Sequence, residues 1–98
     1  MNIPKEIKCA GHTYTVNFER NLLRNNGNRG YVLFHEETIL IDDKMNEALT
    51  AIAFLHETIH VIDAIMLQSK LDEDQTEQLA EGLYQLFLGM GINFVKGE

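Results

Sequence analysis

His56 and His60 stand four residues apart with Glu57 between them, in the segment His56-Glu57-Thr58-Ile59-His60. On a helix, residues i and i+4 lie one above the other on the same face. Both imidazoles can then offer a ring nitrogen to one metal ion. Glu57 falls one step round the helix, where it can take a proton from metal-bound water and later pass it to a leaving amine. Zinc lowers the pKa of its bound water from about 15.7 to about 7, which makes a nucleophile near neutral pH. The bland alternative is a pair of satisfied core histidines and a solvated glutamate. An acid between two buried histidines has no purpose in that alternative.

A helix must carry these residues, and the pattern supplies one. Ile52, Leu55, Ile59, Ile62 and Met66 recur at spacings of three and four, which predicts a helix from about Met45 to Gln68. Its polar side chains gather in the middle of an otherwise apolar stretch. A second helix is expected from about Glu73. Asp72 with Gln75 has the form of a capping box, and Leu79, Leu83, Leu86 and Phe87 form the expected buried face. Gly89-Met90-Gly91 ends that helix, and Ile92, Phe94 and Val95 are expected to fold back on the core.

A zinc site that keeps an open position takes three protein ligands. Asp63, Glu77 and Glu81 compete for the third place. Asp63 follows His60 by three residues on roughly the same face. It can instead accept from a ligand histidine's other N–H, or stand partly solvated. Glu77 and Glu81 are one turn apart on the second helix. A simple antiparallel hairpin turning near residue 70 puts Glu81 opposite His60.

The first forty residues read as strands. Ile7 and Cys9 alternate with polar neighbours, Ala10-Gly11 makes a turn, and Tyr14, Val16 and Phe18 alternate again. Leu22-Leu23-Arg24 has room for a helical turn, and residues 25–30 form an Asn- and Gly-rich loop. Tyr31–Phe34 and Thr38–Ile41 resume as strands, and Asp42-Asp43 can cap the helix that follows. The fold class expected is α+β, a small antiparallel sheet packed on a two-helix active-site hairpin, in a single domain over residues 1–98. Thr38–Ile41 is the strand expected to offer an edge to an extended peptide.

Composition narrows the partners. The net charge of −7, from 8 Lys and Arg against 15 Asp and Glu, disfavours nucleic acid and anionic membranes. Ala51–Leu67, the longest apolar-rich stretch, is shorter than a bilayer span and carries ionisable groups. The one cysteine, Cys9, excludes an intrachain disulfide and fits the cytoplasm. Met1–Glu6 lacks the apolar run of a secretory signal. Tyr84 shares a face with Glu77 and is a candidate oxyanion donor, with core packing as its plainer role. His12 and His35 are expected at the surface, and Asp72-Glu73-Asp74 as helix capping rather than a calcium site.

In the order of its parts the chain resembles a known family. The parts are Gly11-His12-Thr13-Tyr14-Thr15-Val16, Thr38-Ile39-Leu40-Ile41-Asp42, the His56–His60 segment, and Glu77-Gln78-Leu79-Ala80-Glu81-Gly82-Leu83. Together they are similar to the small zincin-like metallopeptidases encoded in phages, prophages and Gram-positive bacteria, distant relatives of the ImmA/IrrE-type endopeptidases. The resemblance covers roughly Ile7 to Phe87. It implies a minimal zincin-like fold and a zinc-dependent metallohydrolase acting on a peptide or protein. In it His56, His60 and Glu77 are the ligands and Glu57 the general base. A second expectation of another class is a metal-binding interaction or structural module of a mobile element, without hydrolytic activity. Glu57 separates the two, because a structural zinc closed by four protein ligands needs no base.

Overall fold

The computed structural model describes residues 1–97. Strands β1 (Glu6–Cys9) and β2 (His12–Glu19) form a hairpin through Ala10 and Gly11, both at positive φ (48° and 85°). This is the backbone of a tight two-residue turn. A short helix α1 (Leu22–Asn26) leads to a second hairpin, β3 (Gly30–Leu33) and β4 (Thr38–Asp42), joined by a 3₁₀ turn at Phe34–Glu36. Helices α2 (Glu47–Met66) and α3 (Glu73–Gly89) follow.

The α+β class is as expected, but the sheet is mixed rather than antiparallel. Its order is β1-β2-β4-β3, and β2 pairs with β4 in parallel. Each hairpin is antiparallel within itself, and the two meet through their second strands. Period-2 alternation tells which residues face the core; it does not tell which strand edges meet. The same topology corrects the expected peptide edge. β4 is central, with Ile39 and Ile41 fully buried, and the free edge beside the helices belongs to β3.

α2 lies over β3 and β4 and packs against α3 on its other side. Ala51, Ala53, Phe54, Leu55, Ile59 and Val61 bury against Tyr14, Val16, Ile39 and Ile41. The helix is long and apolar enough to cross a membrane, yet half of its most apolar window is buried in this globule, as in a core helix. Asn46, not Asp42 or Asp43, caps it, accepting from Leu49 N at 2.9 Å. Asp42 has another task. Its buried carboxylate accepts from Leu23 N and Lys44 N, fastening α1 to the end of β4.

The capping box of α3 forms as read, with Asp72 accepting from Gln75 N at 2.7 Å and Gln75 Oε1 accepting from Asp72 N at 3.0 Å. The buried face differs. Thr76 and Ala80 are fully buried and Leu83, Tyr84 and Phe87 half-buried, while Leu79 and Leu86 point to solvent. The small Thr and Ala let α3 lie close to α2, so the helix turns by about one position relative to the leucine stripe. The tail does fold back. Phe94 packs between Phe54 and Phe87, and residues 1–3 pair with Val95.

Candidate metal centre

His56 and His60 come from the middle of α2, on the side turned toward β3 and the start of α3. Their Nε2 atoms are 3.1 Å apart. The third donor at that point is Glu73, the first residue of α3. Its Oε1 lies 2.6 Å from His56 Nε2 and 3.4 Å from His60 Nε2. Donors bound tetrahedrally at about 2.0–2.1 Å from one ion stand roughly 3.3 Å apart. Two of the three separations have that spacing. The third, at 2.6 Å, is a hydrogen-bond distance between imidazole and carboxylate. Two imidazole nitrogens and a carboxylate oxygen form a donor set that suits zinc.

Glu77, the third ligand implied by the family resemblance, is one turn further along α3. Its Oε2 lies 2.8 Å from His56 Nδ1, the ring nitrogen facing away from the convergence point. His56 is thus gripped at both nitrogens by carboxylates. In metal sites a carboxylate in Glu77's place fixes the tautomer and orientation of a ligand histidine. Glu81 is exposed and is not among the residues lining the cleft.

The offset from hairpin geometry has a cause in the turn. Asp63 is buried, and residues 67–71 fold back onto it. Its carbonyl accepts from Leu67 N and Ser69 N, and its carboxylate from Lys70 N and Leu71 N. The chain retraces part of α2 before α3 begins, which brings Glu73 beside His60 and His56. The carboxylate of Asp63 is thus buried and bonded to the backbone of the turn rather than to His56 or His60, and it is not solvated.

The cluster opens into a cleft of about 840 Å³. One wall is α2, with Ile52, Ala53, His56, Glu57 and His60; the other is Gly27–Val32, with Leu23 and Phe34. Glu57 is only 6% exposed. Burial pushes its carboxyl up to about 7; neighbouring His56 opposes this, and Glu73 and Glu77 add to it. A carboxyl that titrates near neutrality beside a candidate metal cluster suits a general base.

Of the other candidates, Tyr84 packs on the core and does not line the cleft. His12 pairs with Glu37 at the surface, and His35 is exposed on the 3₁₀ turn. Asp72 caps α3 as expected, whereas Glu73, taken with it as capping, turns to the histidines. Gly30 was legible only as part of a loop. It is a strand residue against Glu57, and loop composition carries no signal for that contact.

Compared with protein-family models, curated proteins and solved structures, the chain matches none.

Proposed function

We propose that the chain is a zinc-dependent metallohydrolase that cleaves peptides, with His56, His60 and Glu73 as metal ligands and Glu57 as general base. The observation that carries this reading is the convergence of three donor atoms, 2.6 to 3.4 Å apart, in a cleft that also holds a buried, high-pKa carboxyl. Bound there, zinc would polarise the substrate carbonyl and acidify a water. Glu57 receives the proton and returns it to the departing amine, so that charge does not accumulate on either group. Glu77 holds His56 in one orientation throughout. The cleft wall supports a peptide substrate, since β3 is an edge strand to which an extended chain can add. The single cysteine fits a cytoplasmic setting.

A second reading, a metal-holding interaction module, is favoured by Leu79 and Leu86 on α3 and Met90 at its C-cap, which stand exposed at spacings of seven and four. Metal analysis of the purified chain and peptide hydrolysis by Glu57→Gln separate the two readings. The enzyme reading expects about one zinc per chain and hydrolysis that disappears in Glu57→Gln while zinc and fold remain. Hydrolysis undiminished in that variant, or none in the zinc-loaded parent on a broad peptide library, overturns it.

A further inference from the structure

We propose that Asp63 sets the zinc affinity of the His56–His60–Glu73 cluster by fixing where Glu73 stands, an inference that rests on the metal-site reading above. Asp63 lies in the last turn of α2, yet the residue is only 5% exposed. A negative charge at a helix C-terminus is unfavourable, because the carbonyl ends already carry negative potential. Burial adds a desolvation cost. Both are offset by backbone N–H groups of the turn that follows. Lys70 N donates to Oδ1 at 2.9 Å, and Leu71 N reaches the two carboxylate oxygens at 3.3 and 3.4 Å. The carbonyl of the same residue accepts from Leu67 N and Ser69 N, both at 3.0 Å.

The turn held in this way does not rest comfortably by itself. Gln68 and Ser69 have φ of 57° and 59°, the left-handed region that side-chain-bearing residues disfavour. Released from Asp63, the segment has extended alternatives that lengthen it and move α3 away from His60. Only Asp72 separates the last residue bonded to Asp63, Leu71, from Glu73. Asp72 is itself committed to capping α3. The Glu73 side chain is 72% exposed, so little packing holds it in place. Its arrival at the histidines is therefore decided by where the backbone puts residue 73. Asp63 is a positioning residue that acts through Glu73.

Zinc itself is the probe. Its affinity is measured by chelator competition on the full chain for the parent, Asp63→Asn, Glu73→Gln and the double variant, with circular dichroism for folding. Asp63→Asn is expected to weaken zinc by about 10- to 100-fold, as loss of a supporting carboxylate does at other sites. Added to Glu73→Gln, the same change is expected to weaken zinc clearly less than in the parent, since the ligand it positions is gone and only the contact of Glu77 with His56 is left to lose. Equal weakening in both backgrounds points to a direct charge effect and overturns the proposal, as does no weakening in the parent background. A glycine inserted between Leu71 and Asp72, beyond the last residue bonded to Asp63, leaves the bonds of the buried carboxylate in place and displaces the start of α3 with Glu73. It is expected to weaken zinc more in the parent than in Glu73→Gln, where only the contact of Glu77 with His56 is left to lose, and this arm decides the matter if Asp63→Asn does not fold. A parent chain that binds no zinc overturns the metal-site reading itself, whereas zinc binding indifferent to Asp63 and to the insertion overturns this inference alone.

Discussion

The Glu57 carboxylate fills the space that a side chain at Gly30 would need. A Cβ at position 30 would lie 2.8 Å from Glu57 Cγ and 2.9 Å from Oε2. Gly30 is in the edge strand at an ordinary strand φ, so close approach rather than backbone freedom calls for glycine here. Gly30→Ala is expected to displace the carboxyl while leaving both histidines and Glu73 in place. Peptide turnover should fall by about 100-fold, since misplacement by an ångström can cost that much. Zinc content should stay at the parent level. Steady-state kinetics beside metal analysis checks this, and unchanged kcat shows that Glu57 is not the base or does not need this position.

The two carboxylates on His56 should separate cleanly by substitution. Glu73→Gln removes a donor at the convergence point and is expected to weaken zinc by more than the 10- to 100-fold of a supporting carboxylate, leaving a weak site on His56 and His60 that competition still reads. Glu77→Gln removes only the partner of Nδ1 and should weaken zinc by about 10- to 100-fold. Glu81→Gln, at an exposed position outside the cleft, should change nothing. Chelator competition reads all three. Zinc lost in Glu77→Gln and kept in Glu73→Gln would reverse the two roles.

What could be read from the sequence follows from what local patterns encode. The helix bearing His56 and His60 was legible from its apolar spacing, although Ile62 and Met66 of that stripe are exposed and Ala53, Phe54 and Val61 are buried instead, and Asp72 with Gln75 announced where α3 begins. Glu73 was obscured by its place inside that acidic cap, although it shares a helix face with Glu77, four residues on. Deciding between them needs the length and path of the turn at 67–72. That path is set by hydrogen bonds to Asp63 that no periodicity reveals. The parallel β2–β4 pairing and the insertion of β4 into the centre of the sheet were hidden for a related reason. Long-range edge pairing leaves no mark on either strand beyond stronger burial.

Glu57 also predicts how stability depends on pH when metal is absent. Its carboxyl is pushed up to about 7 from 4.5, chiefly by burial. Between those values the folded chain keeps a proton that the unfolded chain has released. The contribution of this group to stability is therefore fully present below about pH 4.5 and is lost as pH rises through about 7. At 1.36 kcal/mol per unit the loss is on the order of 3 kcal/mol. Urea melts in the presence of a chelator should show the parent losing stability relative to Glu57→Gln across this window. Parallel curves for the two proteins would mean that Glu57 is not buried as a neutral acid.

The edge of β3 gives the last test. Asp42 N donates to Arg29 O at 2.9 Å, so ladder bonds are exchanged at 29/42 and, by alternation, at 31/40 and 33/38. Gly30 and Val32 then turn their N–H and C=O groups away from β4, along the edge that borders the cleft. A peptide adding there as a strand would pair with these groups. Val32→Pro removes one outward N–H without removing a bond to β4, and proline is tolerated on such edges. Losing one hydrogen bond of about 0.5–1.5 kcal/mol should raise KM for an extended peptide roughly 2- to 10-fold. Zinc affinity and folding should remain at the parent level. Unchanged KM in a folded, zinc-loaded Val32→Pro variant would place the substrate elsewhere than on β3.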